Sequence, residues 1–383
     1  MTHFFALLQS IMGRAGLLLG LWLLLAGPAR ASLAPAERVT TPSLAEALNP
    51  DGTLRGSAQG SFDAHLFRMH TAPDGRPTFS PAQVVGTGDE NWQDNFRLPG
   101  TNGVVNVVVQ VGNAVYIGGG FTRVGGIVAN GIAKWDGTAW SSLGTGTKNG
   151  LGSYVYNSSG NVYAIAAASN DLYVGGYFST AGGEAALGVA KWNGTAWSPL
   201  GAGVATGTST TSSVGVVYDL AVVGTSVYAG GEFAVAGGQP ASNIARWDGA
   251  AWGNLGTGLA NGTSGPVLAI ATLGTSVYVG GSFVKAGAID ANNVAKWDGA
   301  TWSSLGTGTA NGVNGTVSAV AIMGTNVYLA GGFKKAGTIT ANNVAKWDGA
   351  TWSSLGTGTA NGVDNVASSL LVDGTSIYIG GFF

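Results

Sequence analysis

The chain has 383 residues, 9% of them charged and 66 of them glycine, with a net charge of −2, twelve tryptophans and no cysteine. Soluble proteins average about 25% charged residues and about 7% glycine, so the chain is apolar and rich in turns, with no three-residue glycine period to make collagen. Without cysteine there are no disulfides, thiol nucleophiles or thiolate metal sites, and the near-neutral charge offers no attraction for nucleic acid.

Arg14 precedes an apolar run from Ala15 to Ala26, then Gly27-Pro28 and Ala29-Arg30-Ala31. This is the layout of a secretory signal peptide, because the run falls short of the roughly 20 residues that span a bilayer. Cleavage near Ala31 would start the mature chain near Ser32 and place it outside the cell or at its surface, with no transmembrane segment. Residues 32–76 are expected to form an irregular lead-in with little core of their own. His3, His65 and His70 are the only histidines, and all precede residue 80.

Residues 77–383 are expected to form one repeat domain. Tyr recurs at 116, 173, 228, 278, 328 and 378, and Trp at 135, 192, 247, 297 and 347. Such spacing near 50 residues marks a repeat architecture, with copies near 104–153, 154–214, 215–265, 266–315, 316–365 and a partial copy at 366–383. Each full copy predicts four strands, exemplified by Val317–Ile322, Ser276–Gly281, Asn293–Trp297 and Ala300–Leu305. Asp298-Gly299 and its equivalents predict a type I′ hairpin turn with positive φ at both residues. The doubled glycines, such as Gly118-Gly119 and Gly280-Gly281, need a close neighbour, and ten tryptophans are available to fill that space. Ala330 replaces the first glycine in copy five, so only the second is strictly required.

Four-stranded antiparallel sheets repeated at this period predict an all-β fold, a β-propeller. Asn91–Phe96, with Trp92 in the role of Trp140 or Trp302, and Pro81–Val85 look like a detached fourth and third strand. The favoured architecture is therefore six blades, closed when these N-terminal strands pair with the C-terminal half-blade. A truncated larger protein is the rival reading.

The order of apolar strand, Tyr-x-Gly-Gly and Trp-Asp-Gly-x-x-Trp-x-x-Leu resembles the kelch-type repeat. Tyr278-Val-Gly-Gly-Ser-Phe283 and Asn292–Gly299 are more similar still to repeats of secreted bacterial propeller proteins. These in turn resemble the propeller region of fungal cortical marker proteins. The resemblance implies the fold and no common ligand or reaction.

A nucleophilic triad or a histidine metal site has no histidine to use within the repeats, so no catalytic residue, cofactor or metal is expected. Arg97, Arg123 and Arg246 are too few and scattered for a sialidase-like site. Asp136, Asp248, Asp298 and Asp348 are read as hairpin residues. Glu184, Glu232, Asp219 and Asp290 occur in one copy each and remain candidates for paired-carboxylate hydrolysis of a glycan. Lys134, Lys191, Arg246, Lys296 and Lys346, before each central Trp, are read as scaffold.

Length varies only in the links from fourth strand to next first strand, which are longer before the second and third copies. These insertions carry Tyr154, Tyr156 and Asn157, and the Thr/Ser run from Thr206 to Ser213. Two positions beyond the aromatic that follows each second strand stand Arg123, Lys285 and Lys335, with Lys334 adjoining. Second-to-third and fourth-to-first links share one side of a propeller, so these residues are expected to form one ligand-binding face, basic on one arc and aromatic-hydroxylic on the other. The function expected is a secreted binding or adhesion module at the cell surface, for carbohydrate (an acidic polysaccharide above all) or an envelope protein. The alternatives are a structural repeat of a larger surface protein with no discrete ligand, and a carboxylate-dependent glycan-acting enzyme.

Overall fold

The computed structural model describes residues 43–51, 53–55, 67–71, 77–81, 100–153, 158–207, 214–258, 260–358 and 361–383. The chain divides into two compact units, Leu98–Phe383 and Leu18–Arg97. The signal-peptide expectation and the strand expected at Asn91–Phe96 lie outside the described residues, as does 82–85.

The smaller unit has more order than an irregular lead-in. Phe67–Thr71 pairs antiparallel with Pro77–Pro81, and a 3-10 turn spans Leu44–Ala47. Ser43 Oγ caps that turn by accepting from the Ala45 N–H at 3.3 Å. Leu44, Ala47 and Leu48 pack with Phe67 and Phe79 into a small core of their own. Pro81, expected to open a detached third strand, instead ends this hairpin.

The larger unit is a β-propeller. In the fourth copy, Val267–Leu273, Ser276–Gly281, Val294–Trp297 and Trp302–Ser304 pair in that order into one antiparallel sheet. Copies one, two, three and five repeat the order, and copy six contributes Ala367–Asp373 and Ser376–Gly381. The first strand of each blade packs on the first strand of the next, so first strands lie innermost and the tryptophans sit toward the rim. The third strand starts one residue later than expected. Asn293 sits at φ 64°, and its side-chain amide donates to the Val313 carbonyl at 2.8 Å, so it turns the chain into the strand instead of joining it.

The doubled glycines are packed differently from the sequence expectation. A Cβ on the first one would reach the valine opening the next blade's first strand: Gly118 meets Val162, Gly175 meets Val217 and Gly230 meets Val267, each at 2.5 Å, and Gly280 meets Val317. A Cβ on the second would strike a backbone carbonyl of its own blade, as Gly281 strikes that of Pro266. Where Ala330 replaces the first glycine, its neighbour across the interface is Ala367 in place of valine. The lost methyls make room for the gained one.

The tryptophans work elsewhere. The two of each hairpin pack together, Trp297 and Trp302 at 5.3 Å between centroids and 54°. The second then straps its blade to the one before: Trp197, Trp252 and Trp302 donate indole N–H to the carbonyls of Leu143, Leu200 and Leu255 at 2.8, 2.7 and 2.8 Å.

The hairpin turns also correct the expectation. Positive φ is confined to Gly137, Gly194, Gly249, Gly299 and Gly349, which excludes a type I′ turn with Asp and Gly as its central pair. The preceding Asp stays in ordinary space because its carboxylate caps the turn. Asp298 Oδ1 accepts the N–H groups of Ala300 and Thr301 at 2.8 and 2.7 Å. Such bonds favour the charged form. They hold Asp136, Asp298 and Asp348 at a pKa of about 2, against 3.8, through backbone N–H of Ala139, Thr301 and Thr351 first.

A depressed carboxyl pKa stabilises the fold above 3.8, and that stability is lost as pH falls through about 2. Asn193 accepts the same turn bonds without a charge, from Thr195 and Ala196 N–H at 2.9 and 2.8 Å. An Asp136→Asn/Asp298→Asn/Asp348→Asn variant should therefore fold but melt somewhat below the parent at neutral pH, because the amide keeps the bonds and loses their charge. Its melting temperature should fall less steeply than the parent's below a pH of about 4. Circular dichroism melts across that range read both, and parallel slopes would remove the carboxylates from the account.

Candidate functional site

Every first strand carries one irregularity at the same place. The register slips between Val105 and Val107, Val162 and Ala164, Val217 and Asp219, Val267 and Ala269, Val317 and Ala319, and Ala367 and Ser369. Such a bulge leaves one residue unpaired and re-aims its side chain. The six skipped residues are Asn106, Tyr163, Tyr218, Leu268, Ser318 and Ser368. All six are half-buried and line one cavity of about 500 Å³ among the innermost strands. That volume lies within the roughly 300–1,000 Å³ usual for small-ligand sites.

The wall is asymmetric. Asn106 donates its amide to Asn161 Oδ1 at 2.7 Å and to the Val162 carbonyl at 2.9 Å. Asn161 donates in turn to the Tyr163 hydroxyl at 3.1 Å. Tyr163 and Tyr218 lie with centroids 5.7 Å apart and planes at 52°, and the Tyr218 hydroxyl reaches Glu232 at 3.4 Å. Blades one to three thus present a braced aromatic and amide wall. Blades four to six present Leu268 and two serines, which leave room. Among the described lining residues the only charge is Asp219, with no lysine or arginine.

Two of the single-copy carboxylates, Asp219 and Asp290, have partners within the scaffold. Asp219 accepts from the Leu220 N–H at 2.8 Å and the Ile270 N–H at 2.7 Å, which ties blade three to blade four beside its bulge. Asp290 pairs with Lys285 at 2.7 Å. Glu184 is exposed on a two-residue strand. Of the scaffold cations, Lys191 pairs with Asp171 at 3.2 Å and Arg246 donates to Ser226 Oγ at 2.9 Å.

The fourth-to-first links and the second-to-third links do meet. Thr101 bridges Val124, Thr263 bridges Ala286 and Val313 bridges Ala336. Both insertions are built onto the same hairpins. Leu151–Ser153 pairs with Ser158–Ser159 and with Thr180–Ala181, and Val204–Ala205 pairs with Val235–Ala236. Tyr154, Tyr156 and Asn157 lie outside the described residues, as does 208–213.

Arg123, Lys285 and Lys335 take the same place on the hairpins of blades one, four and five. Arg123 donates from Nη2 to the Gly126 carbonyl at 2.9 Å, and Lys334 from Nζ to the Asp364 carbonyl at 3.4 Å. Lys334 and Lys335 share one hairpin, anchored by backbone N–H bonds to Asn314 Oδ1 at 2.8 Å each. The cations are spread over separate blades, and Lys285 is neutralised by Asp290.

The bulged residues escaped the sequence reading. Their signal is variation inside the repeat: after a position that is always Val or Ala, one residue changes from Asn to Tyr, Tyr, Leu, Ser and Ser.

The sequence matches no protein-family model and no curated protein. Among solved structures, the computationally designed Ika8 protein is 13% identical, with 74% of this chain and 96% of that one covered, at a TM-score of 0.37. A structure described as YCF48 bound to D1 peptide is 11% identical, covering 74% and 91%, at the same TM-score of 0.37. The propeller rests on the strand pairing above.

Proposed function

We propose that the protein is a secreted, non-catalytic binding module that takes a neutral saccharide at the mouth of its central channel. The observation that carries this reading is the convergence of six bulged side chains on one cavity. A sugar presents an apolar face and a polar rim. Tyr163 and Tyr218 supply the stacking surface, Asn106, Ser318 and Ser368 the hydrogen bonds. The carboxylate of Asp219 and the absence of lining cations among the described residues favour an uncharged ligand over an acidic one. The signal-peptide pattern before Ser32 and the resemblance of the copies to secreted bacterial propeller repeats support export.

A glycan array tests it. Neutral glycans should bind saturably, and Tyr163→Ala/Tyr218→Ala should weaken binding about 5- to 150-fold, since loss of stacking on two rings costs on the order of 1–3 kcal/mol. Arg123→Ser/Lys285→Ser/Lys335→Ser should leave that binding unchanged. Selective binding of acidic glycans, lost in the second variant, would move the site to the basic arc. No saturable binding at all would favour a structural repeat.

A further inference from the structure

Glu232 stands between two spaces. Its Oε2 accepts from the Tyr218 hydroxyl at 3.4 Å, and Tyr218 lines the central cavity. The same half-buried carboxylate borders a groove of about 470 Å³ between the second-to-third-strand hairpins of blades three and four, lined also by Ser242, Asn243, Ser264 and Lys285. One hydrogen-bonded pair of side chains therefore separates the groove from the cavity.

Two features are peculiar to this place. The residue after the doubled-glycine position is Gly120, Tyr177, Glu232, Ser282, Gly332 and Phe382 in the six copies, so blade three alone puts a carboxylate there. On the blade-four side, the Val284 and Lys285 N–H groups donate to Ser264 Oγ at 3.1 and 3.0 Å. In blades one and five the equivalent N–H groups donate to an amide, Asn102 Oδ1 or Asn314 Oδ1, at 2.8–2.9 Å. Serine makes both bonds with a smaller side chain, which leaves space where those blades carry an amide.

The lining selects the occupant. An ionised Glu232 can only accept hydrogen bonds, whereas Ser264 spends its oxygen on two N–H groups and has its own proton left to give. Lys285 is paired with Asp290 at 2.7 Å, and the Asn243 amide donates to the Thr263 carbonyl at 2.9 Å. The groove thus offers an acceptor and a donor but no unpaired cation among its described residues. Sugar hydroxyls, which both donate and accept, match that pair, and an anion does not.

Resting on the saccharide reading of the central cavity, we propose that this groove is a second subsite and that the ligand is a neutral oligosaccharide. One unit lies against Tyr163 and Tyr218, and the next lies in the groove, with the Tyr218–Glu232 pair between them.

The test is isothermal titration of the full chain with the tightest-binding neutral glycan of the array, supplied as its monosaccharide and its disaccharide. The disaccharide should bind about tenfold more tightly, the worth of one or two added hydrogen bonds. Ser264→Asn installs the side chain that blades one and five use, so it should fold, fill the groove and abolish the disaccharide advantage. Glu232→Gln should cut that advantage to about twofold or less. Equal affinities for the two sugars in the parent, or an advantage that survives either substitution, would overturn the groove and leave the central site standing. No saturable binding of any neutral glycan would overturn both.

Discussion

Gly281→Ala is expected to cost about 3 kcal/mol or more, while Gly280→Ala, one residue away, should cost about 1–3 kcal/mol and be curable. The added methyl at Gly281 would meet the Pro266 carbonyl of its own blade. Backbone paired in a ladder cannot retreat without breaking its hydrogen bonds. The methyl at Gly280 would instead meet Val317 Cγ1 of the next blade, a side chain that can be trimmed. Gly280→Ala/Val317→Ala recreates the Ala330–Ala367 pair and should regain at least half of the loss. Urea denaturation midpoints measure all three variants. Equal costs at the two glycines, or no recovery in the pair, would show that the doublet is not divided between two neighbours.

Trp252→Ala should be the other severe change, at about 3–5 kcal/mol. The ring is 8% exposed and lies in the core cluster with Leu200, Val204, Ala236 and Ala241. It also covers Gly237, where a Cβ would come within 2.9 Å of the indole. Trp252→Phe keeps most of the packing and removes the indole donor, so it should cost about 1 kcal/mol. The low end applies because the Leu200 carbonyl still accepts from the Gly203 N–H at 3.0 Å. Urea unfolding separates the two contributions. If Trp252→Phe proves as damaging as Trp252→Ala, the hydrogen-bond strap, and not the ring's bulk, holds neighbouring blades together.

The strand order was legible because period-two apolar runs and Asp-Gly turns are local signals. The rule that the second glycine is indispensable was also visible, through Ala330 and Gly331. What filled the glycine spaces was not, because Val317 lies far along the chain from Gly280 and only the ring brings them together. The turn type misled because Asp298 spends its side chain on two N–H groups, which moves the positive φ to Gly299 alone. The short strands Lys285–Ala286 and Ile289–Asp290 were hidden in a link read as a loop, although Gly287 at φ 57° marks their turn. The candidate site was least legible. A bulge is a mismatch between two strands, and a single strand's pattern carries no trace of it beyond the variable residue it turns inward.

Blades four and five share a stretch that is identical letter for letter, Ala291–Val313 and Ala341–Val363. Their third and fourth strands are therefore interchangeable, and a folding chain gains nothing in those strands by choosing the correct one. What tells the two blades apart lies in their first and second strands, where one edge carries Gly280 against Val317 and the next Ala330 against Ala367. A blade edged with Ala330 cannot seat against a neighbour whose first strand carries Val162, Val217 or Val267, whereas it seats against Ala367. The interface between blades thus works as a key cut differently for neighbouring copies. It penalises a wrong order of blades beside a stretch that duplication has left identical.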